Sequence, residues 1–270
     1  MLNSFFDMLQ YDFMRRALFA GIIISACTAL LGVSLVLRKK SMIGDGLSHV
    51  AFGATAIAVS LGLAPLQIAI PAAIAASFCI LKLSNNHKIN SDAFIAITSA
   101  SALAIGTIAV SINNGTNIDL NSYLFGDILA IGQTELYICI IIGIVTLAFT
   151  ILFYRHIFAL TIDESFAKAI GIKTSLYNTI IAILCSVLIV IGMRLLGALL
   201  ISSLIVFPCL IAMQNAKSFR STIVNAFVIS IACFVLGLAI GYAFELPTSA
   251  SIVLVNLAAL LLAKLFSLLR

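Results

Sequence analysis

The stretch Met42-Ile43-Gly44-Asp45-Gly46-Leu47-Ser48-His49 leads from a basic turn straight into an apolar run, and it carries the sharpest chemistry in the chain. Asp45 and His49 are four residues apart, so on a helix they share one face, one turn apart. A carboxylate and an imidazole on one face make half of a divalent-metal site. Mixed oxygen and nitrogen donors suit zinc or manganese better than copper(I) or potassium. Two such helices meeting across a two-fold axis would supply four ligands, the number zinc prefers. A plainer reading stands beside this one: Asp45 as a helix cap after the basic turn, and His49 as an interfacial side chain that snorkels. Ionisable groups inside membrane segments are costly and mark function, which puts the metal reading first. An imidazole ligates only when neutral, so acid should compete with the metal for His49.

Other polar residues promise less. Asp127 lies in a short polar segment and could attract a cation or simply be solvated. Asp163 and Glu164 read as a solvated helix start rather than a catalytic pair, with Thr161 as the cap and Glu164 three residues on. His87 and His156 sit among basic residues and read as loop positions. Pro208 should break or kink its segment near one end, and Glu245 before Pro247 reads as a loop residue. The six cysteines (Cys27, Cys79, Cys139, Cys185, Cys209 and Cys233) stand singly in apolar segments, as small hydrophobes rather than a zinc cluster or disulfide framework. Neither a phosphate-binding G-x-x-x-x-G-K-[ST] loop nor an H-E-x-x-H metalloprotease motif occurs. Any ATP-driven step would therefore need another polypeptide. An intramembrane aspartyl enzyme built on Asp45 would need a second intramembrane Asp, and none is suitably placed.

The elements that position these residues are dictated by composition. Of 270 residues, 63% are hydrophobic and 9% charged, with a mean hydropathy of +1.22. A soluble domain carries about 25% charged residues to face water, whereas in lipid an apolar exterior is natural. The chain is expected to be an all-α, polytopic membrane protein, a single domain over 1–270 with no soluble appendage. Apolar runs of spanning length fall near 17–37, 47–64, 65–83, 93–112, 135–154, 176–193, 197–213, 222–243 and 249–267. That is about nine helices, or eight if only Arg194 and Gly197 interrupt one long run. The net charge is +5, and the basic residues cluster in short breaks, Arg38-Lys39-Lys40, Lys82 to Lys88, Arg155, Lys168 to Lys173 and Lys217 to Arg220. That is the positive-inside pattern rather than a nucleic-acid surface. It places the N-terminus outside and the C-terminus inside, against the vote of Arg15 and Arg16. Asn121 to Gly132 is expected as a short outer helix, and Thr161 to Lys173 as a cytoplasmic surface helix. The N-terminal residues do not read as a cleaved signal peptide.

With these residues in hand, the chain resembles the permease subunit of bacterial zinc and manganese ABC importers. The resemblance runs through Tyr11 to Leu18 (YDFMRRAL), Leu30 to His49 (LLGVSLVLRKKSMIGDGLSH), Tyr123 to Ala130 (YLFGDILA) and Asp163 to Gly171 (DESFAKAIG). It continues in Leu196 to Pro208 (LGALLISSLIVFP) and Leu246 to Leu254 (LPTSASIVL). It implies a multi-pass protein of the bacterial inner membrane that acts as a homodimer. A cytoplasmic ATP-binding subunit and an extracytoplasmic metal-binding protein would be its partners, with no cofactor bound permanently and no enzymatic activity of its own. The two copies would line one pathway, with Asp45 and His49 facing it, and would move zinc, or next manganese, by alternating access. The segment after Pro208 corresponds to the place where such permeases meet the ATPase, which assigns coupling to Pro208, Cys209, Leu210, Ala212 and Asn215. Here Cys209-Leu210-Ile211-Ala212 stands where the family often has smaller residues. The competing function is a secondary carrier driven by an ion gradient. Such carriers have internal repeats and discontinuous helices, and only a faint echo links the first span to the one ending at Pro208.

Overall fold

The computed structural model describes residues 10–84, 91–112, 126 and 132–268. The helices in chain order are α1 (Asp12–Leu37), α2 (Ile43–Ser60), α3 (Pro65–Ser84), α4 (Ser91–Ile112), α5 (Gln133–Leu152), α6 (Tyr154–Ile162), α7 (Glu164–Ala169), α8 (Thr174–Leu196), α9 (Ala198–Asn215), α10 (Phe219–Ala243) and α11 (Thr248–Leu268). No strand occurs among the described residues. Every apolar run singled out above falls on a helix. Among the described residues, seven helices, α1, α4, α5, α8, α9, α10 and α11, are long and apolar enough to cross a membrane. The expected count of nine is not confirmed on that criterion; α2 carries the polar Asp45 and His49 within its 18 residues.

α1 is the axis of the bundle. It is apolar all round, and from Ala20 to Leu35 only Ile22 and Ile23 are not fully buried, as expected of a helix with neighbours on every side. It packs on α5, α9 and α10 and touches α8, while α4 and α11 lie at the periphery. Two sets of cross-links define the ends of the bundle. At one end Arg38, just past α1, reaches α7 and α8, and Tyr154 and Phe158 of α6 pack against Phe219 at the start of α10. At the other, Arg194 near the end of α8 pairs with Glu135 of α5 at 3.0 Å, and Ser249 of α11 donates to the Leu196 carbonyl at 2.8 Å. Arg38, Lys39, Lys40, Arg155, Lys168, Lys173, Lys217 and Arg220 all belong to the first end, the cytoplasmic side by the positive-inside pattern.

Several expectations are corrected. The run from Thr174 to Asn215 is divided at Gly197 alone, whose φ of 90° lies where only glycine sits without strain. Pro208 does not break its helix: α9 runs through it to Asn215. Proline costs a helix one backbone bond, and packed neighbours make that tolerable in spanning helices; Pro208 is buried. Thr161 is not a cap but the buried end of α6, where its hydroxyl donates to the Ile157 carbonyl and pairs with Ser34 of α1 at 2.9 Å. The cap of α7 is Asp163, whose carboxylate accepts from the backbone of Ser165 and Phe166. His156 is no loop residue: it lies within α6, stacked on Tyr177 at 4.9 Å. Asp127, His87 and the expected outer helix over 121–132, except Gly126 and Gly132, lie outside the described residues.

Candidate functional site

α2 is aimed by the turn before it and by the glycines along it. α1 ends in a Schellman motif, with Lys39 at φ 58°, its N–H bonded to the Val36 carbonyl and the Lys40 N–H to that of Leu35. The chain then re-enters a helix at Ile43 with Met42 as its cap. Asp45 is therefore not the cap; it stands in the first turn, where the helix dipole favours an anion. Beyond it, small residues let α2 sink between its neighbours. A Cβ on Gly44 would meet the Ile205 side chain of α9 at 2.7 Å, and one on Gly46 would meet Ile95 of α4 at 2.5 Å. One on Gly53 would meet the backbone carbonyl oxygen of Ala102 at 2.4 Å. On α4, Ala102 and Gly106 form the small-x-x-x-small spacing that lets membrane helices approach closely. Leu47, Ser48, Ala51 and Phe52 are buried by this packing.

The accessible side chains at the start of α2 carry the chemistry. The side chains of Asp45 and His49 stay 45% and 26% exposed, with His49 Nε2 3.7 Å from Asp45 Oδ1. That is too long for a hydrogen bond. It suits two donors to one ion: at metal–ligand distances of about 2.0–2.2 Å, atoms so separated subtend roughly 120° at the metal. The other ring nitrogen, Nδ1, is buried and has no hydrogen-bond partner among the described residues. Ser48, between them, spends its hydroxyl on the Asp45 carbonyl at 2.7 Å. No group of three or more His, Cys, Asp or Glu side chains able to hold a metal occurs among the described residues. Among the described residues, one chain thus presents two donors and no third.

The residues assigned to coupling divide by accessibility. Pro208, Cys209 and Ala212 are buried against the rest of the bundle, whereas Leu210 and Asn215 are exposed at the basic end. No separate short helix follows Pro208; the accessible tip is the last turn of α9 and the turn to α10, with Lys217 and Arg220 exposed beside it.

A polar network at the same end escaped the sequence reading. Arg38, with an 8% exposed side chain, donates to Glu164 Oε2 at 2.9 Å and to Asn178 Oδ1 at 2.7 Å. Asn178 Nδ2 and Lys168 both approach Glu164 Oε1, at 3.4 and 3.1 Å. Glu164 is thus a paired, partly buried group and not part of a solvated helix start. Burial alone would raise its pKa, but the hydrogen bond from Lys168 and the charges of Arg38 and Lys168 outweigh it and hold the carboxyl below its ordinary value. Arg38 is pushed down by burial, against the pull of Glu164. Of its partners Lys168 lies four residues on, a spacing visible in sequence, whereas Arg38 and Asn178 lie 126 and 14 residues away.

Residues 10–267 match the ABC 3 transport family, and the chain belongs to it. It is a permease of the ABC-type metal importers in this family, a multi-pass protein of the bacterial inner membrane. It is 32% identical over 257 residues to the manganese import system permease protein ScaB of Streptococcus gordonii, covering 95% of this chain and 92% of that one. It is 30% identical over 245 residues to the high-affinity zinc uptake system membrane protein ZnuB of Haemophilus influenzae, covering 91% and 94%. Among solved structures it superposes on a chain of PsaBC from Streptococcus pneumoniae in complex with Fab, with a TM-score of 0.86, 31% identity and coverage of 97% and 95%.

Proposed function

We propose that this chain is the membrane-spanning half of a zinc importer, with manganese the second choice, and that two copies line one pathway gated by Asp45 and His49. The observation that carries this is the half-exposed Asp45–His49 pair, with donor atoms 3.7 Å apart on one face of α2. One chain offers two donors and a tetrahedral ion takes four, so a two-fold pair of α2 helices completes the set. The cation is cargo, held weakly enough to leave again. A separate cytoplasmic ATP-binding subunit hydrolyses ATP and pushes on Leu210 and Asn215. An extracytoplasmic binding protein delivers the metal at the opposite end, and the whole 270-residue chain acts as one permease domain.

Relatives named for manganese and for zinc both match at similar identity, so the metal rests on donor chemistry. An imidazole beside a carboxylate favours zinc over the harder manganese ion. Uptake in cells carrying the whole importer, with each metal competing against labelled zinc, tests this. Unlabelled zinc should suppress the signal at lower concentration than manganese; the reverse order would make manganese the cargo. The gradient-driven carrier is disfavoured by the family, and vanadate-insensitive uptake by the purified importer would revive it.

A further inference from the structure

At the basic end, beside the Arg38–Glu164 network and away from Asp45 and His49, an open cleft of about 250 Å³ lies between the α1–α2 turn, α3, α7 and the start of α8. Lys40 and Lys168 supply its cations, Ser175 and Thr179 its hydroxyls, and Phe78 and Leu81 its apolar wall. Its charges do not balance. Among the described residues lining it Glu164 is the one carboxylate, already divided among Arg38, Asn178 and Lys168. The side chain of Lys40 has no hydrogen bond or ion pair among the described residues. Residues 85–90, which follow α3, contain no acid. Three cations thus face one carboxylate. Burial, followed by the charge of Arg38, disfavours the protonated form of Lys40 and outweighs the pull of Glu164; an anion in the cleft would add to that pull. Among the described residues the neighbouring hydroxyls of Ser175 and Thr179 have no hydrogen-bond partner either.

From this juxtaposition of surplus cations, free hydroxyls and an apolar wall at the cytoplasmic rim of spanning helices, we propose that the cleft binds the phosphate headgroup of an anionic phospholipid. Lys40 and Lys168 hold the phosphate, Ser175 and Thr179 donate to its free oxygens, and Phe78 and Leu81 take the first methylenes of the acyl chains. Basic pockets between helices at this membrane level recognise such headgroups, each cation contributing about 1 kcal/mol. The site also bears on the transport cycle, because Lys40 lies in the turn that aims α2.

Native mass spectrometry of the full-length permease tests this, with phosphatidylglycerol and phosphatidylcholine titrated in parallel. Wild-type protein should hold phosphatidylglycerol in preference to phosphatidylcholine. Lys40→Gln should weaken that binding about fivefold and the double variant Lys40→Gln, Lys168→Gln about thirtyfold. Lys217→Gln, at the same end but outside the cleft, should change nothing. Lys40→Gln leaves the Glu164 pairs intact, so it separates lost binding from lost folding. Equal binding by wild type and both cleft variants overturns the proposal, as does equal retention of the two lipids. If inorganic phosphate at millimolar concentration displaces the lipid completely, the cleft serves a free anion and the lipid assignment falls. It falls too if the double variant keeps its lipid but no longer co-purifies with the ATP-binding subunit, which would give the cleft to a protein partner.

Discussion

Gly53→Ala should loosen the helix pair that positions Asp45 and His49. Gly53 lies one turn beyond His49, where α2 comes closest to α4. A methyl there would sit 2.4 Å from the Ala102 carbonyl oxygen, whereas ordinary contact begins near 3.4 Å. The obstacle is backbone and cannot rotate away. Gly106 on the facing helix is also too tight for a side chain, its added Cβ falling 2.9 Å from the Gly53 Cα. The helices must separate by about 1 Å, and overpacking of that kind costs about 1–3 kcal/mol. For a chain of this size that is a fall in melting midpoint of roughly 3–10 °C. The chain has no Trp but has five buried cysteines, Cys27, Cys139, Cys185, Cys209 and Cys233. A thiol-reactive dye on purified protein in detergent therefore reports unfolding, with exposed Cys79 reacting before heating. Ala104→Leu, an enlargement at an exposed position on α4, is the control and should shift the midpoint by no more than about 2 °C. If Gly53→Ala melts with wild type and the control, α2 is not held by close backbone approach, and the account of how Asp45 and His49 are positioned fails.

Glu164→Gln should cost about 1–3 kcal/mol near neutral pH, because Arg38 is left buried with Asn178 as its remaining partner. Glu164 is held below its ordinary range in the folded protein, so its contribution is complete above the unfolded carboxylate value of about 4.3 and is lost as pH falls through the folded value. The gap between wild-type and variant midpoints should narrow below about pH 4; a pH-independent gap contradicts the pairing. On the exposed side of α9 toward its basic end, Leu210→Asp should weaken co-purification with the ATP-binding subunit by about fivefold or more. Cys209→Ala, a change at a buried position, should lower the melting midpoint and leave that association intact; the reverse pattern would place the contact elsewhere.

The helices were legible because lipid demands long apolar runs and water demands polar breaks, which is why each expected run lies on a helix. What failed was local punctuation. Pro208 reads as a break in isolation, yet the packing around α9 carries the helix through it. Thr161 and Glu164 satisfy a capping spacing, but Thr161 is drawn into the α1–α6 contact and Asp163 takes the cap. The proximity of Asp45 and His49 was readable from a spacing of four, because both residues lie on one helix. The Arg38–Glu164–Asn178 network was not, since its members come from three separate segments. The roles of Gly44, Gly46 and Gly53 depend on which helices face them, and that is a property of the fold.

The central claim is that Asp45 and His49 contact the metal in transit. Asp45→Ala and His49→Ala importers, matched for expression and melting midpoint and assembled with their ATP-binding and metal-binding partners in proteoliposomes, should lose ATP-dependent zinc uptake by at least about tenfold, the loss of one ligating interaction worth about 1.4 kcal/mol or more. ATP hydrolysis should continue. Uptake at wild-type rates by either variant would contradict the claim.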